Sequence, residues 1–192
     1  GNPGNGWGGH RTTPQFVNKF PSDSSDKRAM FFTQGQSLEI NEIGPFTEGY
    51  GVLKFKNVTS DGTPGSNSTF ADTDWPMFRI ADAYLMYAEC VVRGASGGSQ
   101  SQAVAYINEL RERAYGNSSN NITEAGLTKN FILEERAREL YWEGHRRTDL
   151  IRFGRFSGND YVWSWKGNIK QGSGTEPFRE FFPIPASETS VN

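Results

Sequence analysis

Apolar residues recur at helical spacing through the middle of the chain. From Pro76 onward Ile80, Tyr84, Ala88 and Val91 fall at i, i+4, i+8 and i+11, while Ala81, Leu85, Ala88 and Val92 form an adjoining stripe. This pattern predicts a helix buried on a broad face. Gly94 supplies a stop, the Ser/Gly run 96–99 a turn, and Ser99 with Gln102 the S-x-x-Q pattern that caps a second helix. That second helix carries Ala103, Ile107, Leu110 and Ala114 on one side and ends before Gly116. Two helices joined by a short turn over about forty residues make an αα-hairpin like those of helical-repeat arrays, although no second copy follows. A third helix is predicted after Thr128, with Leu133, Ala137, Leu140 and Gly144 in phase and Glu134 placed to pair with Arg138. Gly144 weakens it before a short segment, 145–154, in which Leu150, Ile151 and Phe153 are apolar.

Outside this stretch the period shortens. The runs 28–33 and 51–56 alternate as strands and are expected to pair as a small β-ribbon, while Phe181-Phe182-Pro183-Ile184-Pro185 is held extended by its two prolines. Three zones result: a loop-rich segment 1–76 with short strands, read as the ligand-binding part; a helical hairpin scaffold, 77–155; and an extended C-terminal segment, 156–192. They are read together as one domain. Charge follows the same division, with 6 basic and 8 acidic residues in the first zone, 11 and 10 in the second, 3 and 4 in the third.

The whole chain of 192 residues carries 20 Lys and Arg against 22 Asp and Glu, so it lacks the basic footprint of a nucleic-acid binder. One cysteine, Cys90, and two histidines, His10 and His145, exclude a zinc site built from Cys and His clusters and any intrachain disulfide. No metal site or cofactor is predicted. No run reaches the roughly 18 apolar residues of a membrane span. The start at Gly1 without an initiator Met reads as a processed piece or a fragment.

Three segments taken in order, Arg79–Glu89, Glu135–Arg152 and Phe182–Pro185, resemble the C-terminal region of the SusD/RagB family of Bacteroidetes outer-membrane lipoproteins. The first zone resembles it too, through Pro14-Gln15-Phe16-Val17 before Phe20, Asp26-Lys27-Arg28 ahead of a strand, and Gly49-Tyr50 leading to Lys54-Phe55. The resemblance implies a mainly α fold of tetratricopeptide-like antiparallel hairpins with long irregular loops. It also implies an extracellular protein tethered to the outer membrane by an N-terminal lipid, capturing starch or another polysaccharide for a SusC-like TonB-dependent transporter. The lipidated cysteine and most helical repeats would belong to an N-terminal portion; Cys90, on the first helix, does not replace the anchor.

Glu135 and Glu139, one turn apart, invite an acid–base reading of the kind glycosidases use. The neighbouring Arg136, Arg138, Arg146 and Arg147 favour ion pairing instead, and no catalytic residue is assigned. Asp82 with Arg79, and Asp149 with Arg146 or Arg152, read as structural pairs; Tyr84, Tyr87, Tyr106, Tyr141 and Trp142 read as core. Four Asn-x-Ser/Thr sequons, at Asn57, Asn67, Asn117 and Asn121, read as accidents of composition. Trp7 lies between glycines and outside any periodic run, so its ring must find a distant pocket or a ligand. A flat indole suits the C–H face of a pyranose, with Asn5, His10 and Arg11 as polar partners for hydroxyls. The alternative is a loop anchor, and in a helical adaptor that binds only protein Trp7 would belong to the interface; the family resemblance favours the sugar. Trp163 and Trp165 share one side of an extended segment and read as structural or transporter-facing.

Overall fold

The caps and stripes of the central region produce three helices, the second and third each packed against the first, in the computed structural model, which describes residues 9–190. A short helix α1 (Pro14–Val17), not foreseen in the sequence, begins with proline at its first position, where no amide hydrogen is needed. Strands β1 (Phe31–Phe32) and β2 (Gly51–Val52) pair antiparallel, Phe31 opposite Val52 and Phe32 opposite Gly51, so the expected ribbon forms over two residues of each run. Among the described residues the fold is mainly helical, with this one two-stranded sheet.

Helix α2 (Ile80–Val92) buries Ala81, Leu85 and Ala88. The second of its two predicted stripes therefore faces the core, whereas Ile80 is 64% exposed and does not. Helix α3 (Gln100–Tyr115) starts at Ser99, whose Oγ accepts from the Gln102 amide at 3.2 Å, and stops at Gly116 in the left-handed region (φ 76°). It runs antiparallel to α2: the rings of Tyr84 and Tyr106 stack at 4.2 Å, and the Ser99 amide donates to the Tyr87 hydroxyl at 3.1 Å. Helix α4 (Lys129–Leu140) is capped by Thr128, whose Oγ1 accepts from the Phe131 amide at 3.1 Å. It buries Ile132, Leu133, Ala137 and Leu140 and packs against α2.

Helix α4 ends at Leu140, a turn before Gly144. Tyr141 turns to extended backbone (ψ 145°), so its ring enters a buried cluster with Phe16, Phe20 and Phe31, and its hydroxyl donates to the Arg28 carbonyl at 2.7 Å. Trp142 and Gly144 then take positive φ, 60° and 81°. Helix α5 (Arg146–Arg152) follows as the expected short segment.

The chain divides into two compact units, one up to Arg146 and one from Arg147 onward. The second holds 3-10 turns at Lys166–Asn168 and Pro177–Glu180 and a final turn of helix, α6 (Ala186–Thr189), with Phe181–Pro185 exposed and non-helical as its prolines require. In the first unit the sequon residue Asn57 is buried. Its amide donates to the Asn67 and Phe70 carbonyls at 2.8 and 3.0 Å and accepts from the Asp72 amide at 2.9 Å, so it clamps a loop and presents nothing to a glycosyltransferase.

Candidate functional site

Glu135 and Glu139 lie on the buried face of α4, where Arg28 joins them. Its Nη1 donates to Glu135 Oε1 at 2.8 Å and to Glu139 Oε2 at 3.1 Å, while its Nε and Nη2 grip both oxygens of Asp26 at 2.9 and 2.7 Å. Glu135 also accepts from Arg111 at 2.9 Å and Arg138 at 2.5 Å, and Glu139 from Arg79 and Arg113, each at 2.6 Å. One turn on, Glu143 takes Arg79 at 2.7 Å and the ammonium of Lys54, which also donates to the carbonyls of Glu139 and Tyr141 at 2.8 and 2.9 Å. The acids are ion-paired as the sequence suggests, with largely different partners: of the four expected arginines only Arg138 contributes. Arg136 pairs with Asp82 at 2.8 Å, Arg146 donates to the Leu133 carbonyl at 2.9 Å, and Asp149 takes Arg152 at 2.9 Å.

Burial by itself would raise the carboxyl of Glu139, but hydrogen bonds from Arg113 and Arg79 outweigh it and hold the group down to about 2. Glu135, Glu143 and Asp26 are likewise held below the ordinary carboxylate range, burial being overcome by their basic partners. All four are thus anions at neutral pH, the state of a salt-bridge partner and the opposite of a proton donor. Because the folded values lie below the unfolded ones, this stabilisation is present above the ordinary carboxylate value of 4.5 and is lost as pH falls from there through about 2, where Glu139 protonates. Urea midpoints should therefore drop steeply over that window, and Glu139→Gln should flatten the slope; an unchanged slope would show that Glu139 does not titrate with folding.

Beside this cluster lies a cleft of about 360 Å³ lined by Lys54, Phe55, Pro76, Arg79, Tyr141 and Glu143. Trp75, 58% exposed, stacks on Phe55 with centroids 5.9 Å apart, and a Cβ on Gly144 would lie 4.0 Å from its ring. Two residues from Gly144, Trp142 is 40% exposed and meets His10 edge-on at 5.7 Å. The assignment of Trp142 to the core is therefore corrected: α4 stops at Leu140, and the left-handed backbone at 142 turns the indole outward. Tyr141 is buried as expected, and Tyr84, Tyr87 and Tyr106 are half-buried.

Of the predicted site residues, Asn5 and Trp7 lie outside the described residues. His10 is exposed against Trp142, whereas Arg11 donates to the Ile43 carbonyl at 2.7 Å and lies 6.0 Å from the Phe46 ring. The two neighbours therefore serve different parts of the surface. Trp75 has no place in the sequence reading and Trp142 enters it only as core; the available signals are a tryptophan before Pro76 in a polar run and one two residues before Gly144. Among the described residues no group of three or more His, Cys, Asp or Glu side chains is placed to hold a metal, and no helix is long and apolar enough to cross a membrane.

The described residues thus form a helical scaffold locked by buried charge, with the indoles of Trp75 and Trp142 exposed on its surface. The SusD family model matches residues 1–192, and the chain belongs to that family. The starch-binding protein SusD of Bacteroides thetaiotaomicron is 39% identical over 88% of this chain and 30% of its own length. SusD-like protein P25 of Formosa agariphila is 30% identical over 98% of this chain and 34% of its own. The chain thus spans about a third of the length of these relatives. A solved SusD superfamily structure from Bacteroides vulgatus shares the fold, with TM-score 0.64 and 22% identity over 94% of this chain and 37% of that one. Another from Bacteroides thetaiotaomicron gives 0.63 and 23% over 93% and 37%.

Proposed function

We propose that this chain is part of a non-catalytic glycan receptor that takes an oligosaccharide or polysaccharide, starch first among the candidates, at the extracellular face of the outer membrane. It would pass the glycan to a SusC-like TonB-dependent transporter. The observation that carries this reading is the 39% identity, over 88% of the chain, to a protein named as starch-binding. Exposed Trp75, stacked on the cleft residue Phe55, and exposed Trp142, with the His10 ring beside it, offer the flat apolar faces that a pyranose stacks on. A sugar covering about 50–100 Å² of ring gains roughly 1–2.5 kcal/mol per platform. Such sites bind in the range of about 0.1–1 mM once association costs are met, which suffices for a repeating polymer on a many-copied receptor.

The remaining portion of the receptor completes the scaffold in this reading. It is supported by the apolar run Met77, Phe78 and Ile80, of which Phe78 is 89% exposed. Coexpression with an N-terminal portion should raise the melting temperature.

Trp7 is the test. Trp7→Ala should weaken maltoheptaose binding by a factor of about 5–70 in calorimetry with little change in melting temperature, and His10→Ala and Arg11→Ala should weaken it less. A folded Trp7→Ala protein with undiminished affinity removes Trp7 from the site; a lower melting temperature with unchanged affinity makes it a loop anchor.

A further inference from the structure

The second unit contains a cleft of its own. It encloses about 610 Å³, within the range of roughly 300–1,000 Å³ usual for small-molecule sites, and Phe156, Trp163 and Trp165 form its aromatic part. Around them stand Asn168, Thr175, Glu176 and Arg179. The mixture suits a sugar, because each hydroxyl both gives and accepts a hydrogen bond, and here amide, guanidinium and ammonium donors face carboxylate and hydroxyl acceptors.

Lys166 is the unusual member. It is 4% exposed, its ammonium lies 4.7 Å from the Trp163 ring centroid, and it donates to the carbonyls of Tyr161 and Gly158 at 2.7 and 3.1 Å. An ammonium has three N–H donors and these carbonyls take two. No carboxylate among the described residues pairs with it, and burial lowers its basicity. Held by two carbonyls and a ring face and by no carboxylate, this ammonium brings a buried, uncompensated positive charge to the wall of a polar, aromatic cleft.

The backbone points the same way. Trp165 and Asn168, both lining the cleft, hold left-handed φ of 68° and 62°, a conformation that side chains with a Cβ adopt at a cost. The surrounding loop holds them there: Gly158 donates to the Thr175 carbonyl at 2.8 Å, Ser173 to the Lys166 carbonyl at 3.0 Å, and Gly174 to Asn159 Oδ1 at 2.8 Å. At Gly172 a Cβ would run into the Trp163 carbonyl, and at Gly174 into the Asn159 side chain, so the loop closes on itself without room for adjustment. A site shaped before its ligand arrives loses less freedom on binding.

We infer that this cleft is a second sugar-binding site, in which Trp163 and Trp165 stack a ring of a neutral glycan and Lys166, Asn168, Glu176 and Arg179 hold its hydroxyls. The inference rests on the glycan-receptor reading and adds to it a site independent of Trp7, Trp75 and Trp142. All 5 tryptophans can be observed together by fluorine NMR of protein labelled with 5-fluorotryptophan, each signal assigned by single substitution. The probes are maltoheptaose, cellohexaose, xylohexaose and laminarihexaose.

With the glycan that binds, the Trp163 and Trp165 signals should shift saturably, and should still do so in Trp7→Ala/Trp142→Ala protein. Asn168→Gly suits the left-handed backbone and Arg179→Ala removes an exposed side chain, so both variants should keep the wild-type melting temperature. Each should weaken the Trp163 and Trp165 response at least fivefold. Shifts confined to the other tryptophans, or an Asn168→Gly/Arg179→Ala protein with full response at Trp163 and Trp165, overturn the inference and leave the receptor reading standing. If no tryptophan responds to any of the four glycans, the receptor reading falls and this site with it.

Discussion

Glu135→Ala should lower the free energy of unfolding by about 3–5 kcal/mol, the cost of breaking a buried ion pair by removing one partner. The residue is fully buried and receives Arg28, Arg111 and Arg138. Without it, three guanidinium groups that are largely withdrawn from water face one another, and Arg28 keeps only Asp26 and Glu139. Equilibrium unfolding in urea at neutral pH measures the loss. Glu135→Gln, which preserves shape and removes charge, separates electrostatics from packing: a loss near that of alanine assigns the effect to charge. A cost below about 1 kcal/mol for alanine would mean that water replaces the carboxylate and that the cluster is effectively solvated.

Leu110→Ala should cost about 2–5 kcal/mol. Leu110 is buried on α3, in phase with Ala103, Ile107 and Ala114, and small residues on both helices bring the backbones of α2 and α3 close enough that neighbours cannot move in to fill the space. Ile80→Ala is the matched control: an apolar residue of the neighbouring helix that is mostly exposed should change stability by less than about 0.5 kcal/mol. Equal losses at the two positions would show that the face of α2 turned to solvent has been misassigned.

The helices were legible because their signals are local. Ser99 and Thr128 cap the helices that the apolar spacing predicts, Gly116 ends one of them, and Leu85, Ala88, Ile107, Leu110, Ala137 and Leu140 are all buried. The end of α4 was not legible, since Tyr141 leaves the helix for rings contributed by Phe16, Phe20 and Phe31, more than a hundred positions away in the chain. The same distance hid the partners of Glu135 and Glu139: spacing along a helix identifies neighbours such as Arg138, whereas Arg28 lies 107 and 111 residues away from the two acids. Trp142 shows how this propagates along the chain, for its exposure follows from the end of α4 at Leu140, the departure of Tyr141 and the left-handed backbone at 142. The aromatic richness of the loops was visible; which rings are free to meet a ligand depends on which the core has already taken.

The reach of Arg28 also sets an order of events. Its bonds to α4 close a loop of more than a hundred residues, and closing so long a loop costs entropy that no local contact repays. The hairpin of α2 and α3 is built from near neighbours and gains its contacts early, whereas the segment bearing Arg28 and Lys54 gains its charge partners only once α4 stands in place with Glu135, Glu139 and Glu143 aligned. The surface around His10, Trp75 and Trp142 is therefore expected to form after the helical framework, once the most distant contacts have closed.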